Sequence, residues 1–314
     1  MKKFGLIGVA GFVAPKHLEA ISRTGSHLLA AMDRSDSVGI LDRFFPQAGF
    51  FTDIDRFDSY LEQLRREKSG IDYLSVCTPN HLHDEHVRLG LKHNADVICE
   101  KPLVLDPGGI EPLVELEKET GRRIFNLLQL RLHPDIIRLQ EKQKGLDRNS
   151  KAEVELVYIT PRGRWYHNSW KGDEQRSGGI ATNIGIHFFD MLLWIFGPVQ
   201  HIAVHHYDKE RAAGYLELQK ARVRWFLSIN EADLPADRVG KSHSFRQISV
   251  EGETVEFSTG FTDLHIKAYE AILAGKGFGL EEAFPSIELV HNIRTQKPSG
   301  LKNDFHPMAA FLKQ

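Results

Sequence analysis

Lys101 stands in the triplet Glu100-Lys101-Pro102, where the apolar run ADVIC comes to an end. In a parallel α/β sheet ligands collect beyond the carboxyl ends of the strands, so a lysine at that place points into a crevice and is a candidate for proton transfer. Pro102 removes a backbone donor and confines Lys101 to extended conformations, which sets the direction of its ammonium. A solvated turn would use the same three residues. A second candidate is His187, in the run IATNIGIHFFDMLLWIF over 180–196, which is apolar nearly all round and is expected to form a buried helix. Asn183, His187 and Asp190 recur there at i, i+4 and i+7. Buried polar groups are costly without partners, so this stripe should face a cleft. A core histidine satisfied by its neighbours is the alternative. The third feature is the stretch 161–179, PRGRWYHNSWKGDEQRSGG, with Arg162, Arg164, Lys171 and Arg176 among Trp165, Tyr166 and Trp170. Unstructured loops of this length commonly bind something, and cations mixed with aromatics suit an anionic ligand that carries a flat ring. A solvated loop or a subunit contact would have the same composition.

The elements that must position these groups begin with a buried strand over 3–9, followed by Gly8, Ala10, Gly11, Phe12 and Val13 and then by Pro15, a good first helical residue. Small residues let the backbone approach a pyrophosphate, and a helix N-terminus supplies amide donors. The usual G-x-G-x-x-G pattern would put glycines at 8, 10 and 13, whereas the chain has Gly8, Ala10 and Val13. A second strand over 26–32 ends at Asp33, where dinucleotide folds place an acid on the adenosine ribose. Against a 2′-phosphate that carboxylate would be repulsive by roughly 4 kcal/mol at ~4 Å, which favours NAD over NADP. Arg34 beside it could clamp a 2′-phosphate or stack on the adenine. Strand and helix go on alternating through the turn Thr78-Pro79-Asn80-His81, the strand that carries Glu100 and Lys101, and a sixth strand, RIFNLLQL. This is an α/β doubly wound unit over 1–127. His81, His83 and His86 suggest a metal, but two of them fall on a helix with the third off it, and no cysteine or carboxylate cluster completes a tetrahedral set. No metal is expected.

From residue 151 the pattern becomes one of strands with alternating polarity: AEVELVYITP, VQHIAVHHY, YLELQ, ARVRWFLSIN, FRQISVEG and ETVEFS. They predict an α+β domain over 128–314 with an open, mostly antiparallel sheet. A net charge of -2 with 41% apolar residues in 314 gives no footprint for nucleic acid or a membrane surface and points to a small molecule. No signal peptide is read at the start and no apolar stretch of membrane-spanning length. Cys77 and Cys99 close apparent buried strands, which suits free thiols in a reducing cytoplasm.

Taken together, Gly8 to Ala14, Asp33, Thr78-Pro79-Asn80-His81, Glu100-Lys101-Pro102 and the run from Gly178-Gly179 through Gly185, His187 and Asp190 resemble the Gfo/Idh/MocA oxidoreductase family over nearly the whole chain. The resemblance implies an N-terminal Rossmann domain, a C-terminal open sheet whose exposed face forms a subunit interface in a homo-oligomer such as a tetramer, and hydride transfer between a sugar or cyclitol carbon and nicotinamide. Family members commonly have Asp where this chain has Asn183. An amide cannot act as a base, so proton transfer falls on Lys101 and His187, with Asn183 holding a substrate hydroxyl. The wording GVAGFVAPKH, NLLQLRLHP, YITPRGRWYHNSWKGD and SGGIATNIGIHFFDMLLW is similar to the family's UDP-N-acetylglucosaminuronate 3-dehydrogenases, which serve bacterial surface polysaccharide (O-antigen) synthesis. It carries over Arg131, Arg162, Arg164, Tyr166 and Lys171 as contacts of a UDP-sugar, and Gln129, Trp165 and Trp170 as neighbours of cofactor or sugar. A dehydrogenase of a free sugar or inositol, and a non-catalytic nucleotide sensor, are the alternatives.

Asp33→Ala is expected to weaken NAD binding and to narrow the gap to NADP in calorimetry. Equal affinity of the wild-type protein for the two cofactors would give the decision to Arg34.

Overall fold

The computed structural model describes residues 1–146, 150–239, 244–255, 262–302 and 304–313. The chain divides into two units, Met1–Gln129 with Thr262–Phe284, and Leu130–Phe261 with Pro285–Gln314.

In the first unit, strands β1 (Lys3–Ile7), β2 (His27–Met32), β3 (Gly49–Phe51), β4 (Tyr73–Val76), β5 (Asp96–Cys99) and β6 (Ile124–Asn126) form one sheet in the order β3-β2-β1-β4-β5-β6. Every neighbouring pair is parallel. The strand order reverses between β1 and β4, and the crevice outside the carboxyl ends at such a point is where open α/β sheets bind ligands. Strand residues such as Phe4, Leu6, Leu74, Val76, Val97 and Ile98 are all fully buried, because crossover helices cover the faces. Helix Ala14–Arg23 turns Ala14, His17, Leu18, Ala20 and Ile21 inward. Helix Leu264–Leu273 packs against it, and the Tyr269 ring stacks 5.8 Å from Phe4. The expected boundary after residue 127 therefore moves two residues, and the segment Thr262–Phe284 belongs with the first unit instead of the second. The physical reason is the apolar face of that helix, with Leu264, Ala268, Tyr269 and Ile272 all buried.

The second unit holds β7 (Ala152–Ile159), β8 (Val199–Tyr207), β9 (Arg211–Leu218), β10 (Ala221–Ser228), β11 (Phe245–Val250) and β12 (Glu253–Val255), in the order β12-β11-β7-β10-β9-β8. Only β7 and β10 run parallel, so the sheet is mostly antiparallel, as its alternating polarity predicts. Residues 256–258 of the last expected strand lie outside the described residues. One face carries Val154, Leu156, Val223 and Trp225 against helix Ile186–Phe196, with Phe189 edge-on to Trp225 at 5.3 Å. On the opposite face Val157, Ile159, Ala213 and Phe226 form a cluster with Ala309 and Met308, while Arg222 and Arg224 pair there with Glu153. The helical run Glu174–Phe196, at 23 residues, is long and apolar enough to cross a membrane by length and composition, contrary to the expectation above; 83% of its apolar window is buried within the protein. It is a core helix of the second unit.

Trp225→Ala removes a fully buried ring and is expected to cost about 3–5 kcal/mol in urea unfolding. The indole Nε1 has no hydrogen-bond partner among the described residues, so Trp225→Phe should cost markedly less. Equal losses would mean that the N–H matters more than the ring volume.

Candidate active site

Four sequence candidates meet where β1 ends. Gly8 has φ +95°, and a Cβ there would stand 2.7 Å from the Cys77 carbonyl, so only glycine lets this loop lie against the chain leaving β4. The Gly11 amide donates to the Gly8 carbonyl at 2.9 Å and closes the turn. At the end of β2, Asp33 Oδ2 accepts from the Ala10 amide at 3.0 Å, and Oδ1 accepts from Ser35 at 2.9 Å. Val13 precedes helix Ala14–Arg23, Phe12 is 89% exposed and Arg34 is exposed. A glycine-only backbone, a helix start and an acid at the second strand's end together fit an NAD pyrophosphate and ribose.

The turns after β4 and β5 are tied by a buried histidine. His83 Nδ1 lies 2.6 Å from the Pro102 carbonyl and Nε2 lies 2.8 Å from that of Thr78. Burial lowers the His83 pKa, and a neutral ring donates to one of these carbonyls at a time. His86 Nδ1 is 2.9 Å from Thr78 Oγ1, and burial pushes its pKa down to about 4. Asn80 is buried, Pro79 half-buried and His81 exposed. Lys101 is half-buried, precedes a cis peptide bond to Pro102, and donates its backbone N–H to Glu100 Oε2 at 3.2 Å. Glu100 itself is 8% exposed, and its Oε1 lies 3.3 Å from His17 Nε2 and 2.9 Å from His265 Nε2. Burial by itself raises this carboxyl, but the hydrogen bonds from His17 and His265 hold it well below the usual carboxylate range. Gln129 is half-buried at the end of the first unit's N-terminal stretch.

In the second unit the stretch 161–179 has structure of its own, unlike the expected open loop: short helical turns at Arg164–Asn168, Trp170–Gly172 and Glu174–Ser177. The second and third are capped by side chains, with Ser169 accepting from the Lys171 amide at 3.2 Å and Asp173 from that of Gln175 at 2.9 Å. Tyr166 is buried and receives a hydrogen bond from Asn183 Nδ2 at 2.7 Å. Burial raises the Tyr166 phenol, partly offset by Asn183 and by the Arg162 charge. Trp165 is 58% exposed, with its ring edge toward Tyr166, and Lys171 Nζ sits 4.6 Å over the Trp170 ring. Arg162 and Arg164 are exposed. Gly179 has φ +71°, and a Cβ there would meet Tyr207 Oη at 2.4 Å, so the glycine pair opens the way into the long helix.

The polar stripe on that helix divides. Residues Ala181–Gly185 form a π-helical turn, which changes the phase between Asn183 and the α-helical residues after it. Asn183 and His187 remain half-buried, whereas Asp190 is 1% exposed and holds Arg131 through Nε at 3.0 Å and Nη2 at 2.7 Å. Arg131 is thus paired with a carboxylate of its own chain. Sequence reasoning passed over His17, His265, Tyr269 and Ser75. The signal for His17 was a histidine on the inward face of the first helix, but its partners are far away along the chain. Among the described residues, the atoms of ligand type that come together are not those of His81, His83 and His86 but those of His17, Glu100 and His265, which lie within 4.8 Å of one another.

Residues 2–127 match the family model described as an oxidoreductase family with an NAD-binding Rossmann fold, and residues 150–296 match its C-terminal alpha/beta domain. The WlbA (WbpB) dehydrogenase of Thermus thermophilus is 48% identical with a TM-score of 0.94, over 98% of this chain and 99% of that one; it has been solved with NAD and alpha-ketoglutarate and with NAD and UDP-GlcNAcA. The WlbA dehydrogenase of Bordetella pertussis, 18% identical with a TM-score of 0.76 over 95% of this chain and 98% of its own, shares the fold. Inositol 2-dehydrogenase of Rhizobium meliloti is 26% identical over 62% of this chain, and the chain spans about half of that relative, 55% of its length.

Asp190→Ala would leave the Arg131 guanidinium buried without its counter-charge. The expected loss is about 3–5 kcal/mol in denaturant unfolding, and a loss under 1 kcal/mol would show that Arg131 does not depend on Asp190.

Proposed function

Because the chain belongs to the Gfo/Idh/MocA oxidoreductase family, with an NAD-binding Rossmann domain as its first unit, we propose that it oxidises the C3 hydroxyl of UDP-N-acetylglucosaminuronate to the 3-keto sugar. The observation that carries this reading is the 48% identity, over nearly the full length of both chains, with a dehydrogenase solved with NAD and UDP-GlcNAcA. The cations at 162, 164 and 171 add to it, since a nucleotide uronate brings two phosphates and a carboxylate. A free sugar or inositol, the substrate class suggested by the Rhizobium relative, gives those cations nothing to neutralise. A nucleotide sensor would be expected to lack Lys101 or His187.

Oxidation of the alcohol removes a hydride from carbon and a proton from oxygen. Bound NAD⁺ supplies the hydride acceptor. Lys101 and His187 are the proposed proton-handling groups, each half-buried in its own unit. Asn183, fixed by its bond to Tyr166, is proposed to hold a substrate hydroxyl, and Arg162, Arg164 and Lys171 to meet the anions. Arg131, neutralised by Asp190, positions what surrounds it more than it adds free charge. We further propose that the enzyme is cytoplasmic and supplies a transaminase in surface polysaccharide synthesis. The face bearing Arg222, Arg224 and Glu153 is proposed to meet another copy in a homotetramer. Alpha-ketoglutarate, bound with NAD by the Thermus relative, is the first compound to test as the acceptor that regenerates NAD⁺.

Lys101→Met and His187→Asn should each lose on the order of 10² to 10⁴-fold in kcat while still binding NAD. Single-turnover NADH formation should be fastest with UDP-N-acetylglucosaminuronate, compared with UDP-N-acetylglucosamine, the free uronate and myo-inositol. Equal rates with inositol would transfer the assignment to a general cyclitol or sugar dehydrogenase.

A further inference from the structure

A buried carboxylate stands next to the residue assigned above to proton transfer. Three donors converge on Glu100: His17 Nε2 at 3.3 Å and His265 Nε2 at 2.9 Å on Oε1, and the Lys101 amide at 3.2 Å on Oε2. Behind His17 the network continues, with Nδ1 2.7 Å from Tyr269 Oη and that oxygen 2.7 Å from Ser75 Oγ. The protons can run in one direction throughout. Ser75 donates to Tyr269, Tyr269 to His17 Nδ1, and the Nε2–H of each imidazole to an ionised carboxylate. Burial lowers the His17 pKa more than the Glu100 bond raises it, which agrees with a neutral ring.

Ligand atoms each about 2.0–2.1 Å from a tetrahedral zinc stand roughly 3.3 Å apart. The His17 Nε2–Oε1 separation of 3.3 Å fits that spacing as well as a hydrogen bond, whereas His265 Nε2 and Oε1, at 2.9 Å, are at a charge-assisted hydrogen-bond distance too short for it. Keeping a charge in so dry a place is costly, and a neutral amide would accept hydrogen bonds there for less. What the amide would not supply is a negative charge one residue from Lys101.

We infer that Glu100, clamped by His17 and His265, is a positioning residue for Lys101: the carboxylate holds the backbone from which the lysine projects and sets the field in which its amine exchanges a proton. The inference rests on the reading of Lys101 as a proton-transfer group. The other titratable groups around Glu100 are Cys77 after β4, Cys99 in β5, Tyr269 on helix Leu264–Leu273 and His83 on helix His83–Lys92, with Lys16 facing His17. Burial pushes both thiols and the Tyr269 phenol well up and His83 down, so all four are neutral near pH 7. Glu100→Gln therefore changes a charge one residue from Lys101 while these four stay neutral.

The test follows the titration of Lys101 by NMR in full-length protein whose lysines carry ¹³C-methyl groups, with the resonance assigned by its loss in Lys101→Arg. A neighbouring carboxylate favours the ammonium, so Glu100→Gln should lower the Lys101 pKa by roughly one unit. The acid limb of kcat for sugar oxidation should move down with it, and Glu100→Asp should restore the wild-type titration. In the wild-type protein, ¹³C-glutamate labelling should find Glu100 ionised throughout this range, a measurement that needs no variant to fold. An unmoved Lys101 in folded Glu100→Gln, or a protonated Glu100 at pH 7, overturns the inference and leaves the dehydrogenase reading standing. So does one equivalent of metal in the purified wild type, found by elemental analysis and absent from His265→Gln. Full turnover in Lys101→Met would instead defeat the role of Lys101 in the reaction, while the shift in its titration could still be observed.

Discussion

A carboxylate removed from water has to be met by donors, and Glu100 draws two of its three donors from distant stretches of chain and the third from the next residue. His17 comes from the first helix, the Lys101 amide from the turn after β5, and His265 from a helix more than 160 residues further on. The discontinuous first unit, joined through the apolar face of helix Leu264–Leu273, also meets this requirement. Without the return of Thr262–Phe284 the Glu100 carboxylate would lose a donor, and Tyr269 would no longer stack on Phe4 or reach His17. A parallel sheet already needs cover on both faces, and here the cover also carries a hydrogen-bond partner for the residue that precedes Lys101.

Much of the first unit could be read from local pattern alone. Strand and helix alternate in the sequence because most strands of this sheet are largely buried and the helices between them turn an apolar face inward. Gly8 was legible as a close approach, and Asp33 as an acid at the end of β2. That Asp33 also binds the Ala10 amide was not, since a hydrogen bond across 23 residues leaves no periodic trace. The return segment was missed for a related reason. Its helix has an ordinary apolar face, and nothing local in such a face names the surface it covers.

Two structural facts changed the picture of the second half. The stretch 161–179 lacks helical periodicity, yet it folds into short turns, two of them capped by Ser169 and Asp173, a mechanism that acts over two or three residues and escapes any window long enough to detect a helix. The stripe of Asn183, His187 and Asp190 assumed a constant turn of 3.6 residues. A π-helical turn over Ala181–Gly185 breaks that assumption just before His187, and such widened turns are frequent at functional sites.

The same turn bears on what the three side chains do. Asp190, one α-turn after His187, is taken up by a two-point bond to Arg131 in a place where neither charge reaches water. An unpaired guanidinium there would be costly, so Asp190 is accounted for by structure, and so is at least part of Arg131. Counting cations in the sequence treats each as available to a ligand, whereas a buried cation is first obliged to its own counter-ion. Arg162 and Arg164 are exposed and carry no such obligation to Asp190. Asn183 differs again: its amide is bonded to the Tyr166 hydroxyl but brings no charge that needs neutralising. An amide at that position therefore orients without titrating, and it leaves His187, half-buried on the same helix, as the proposed proton-handling group of this unit.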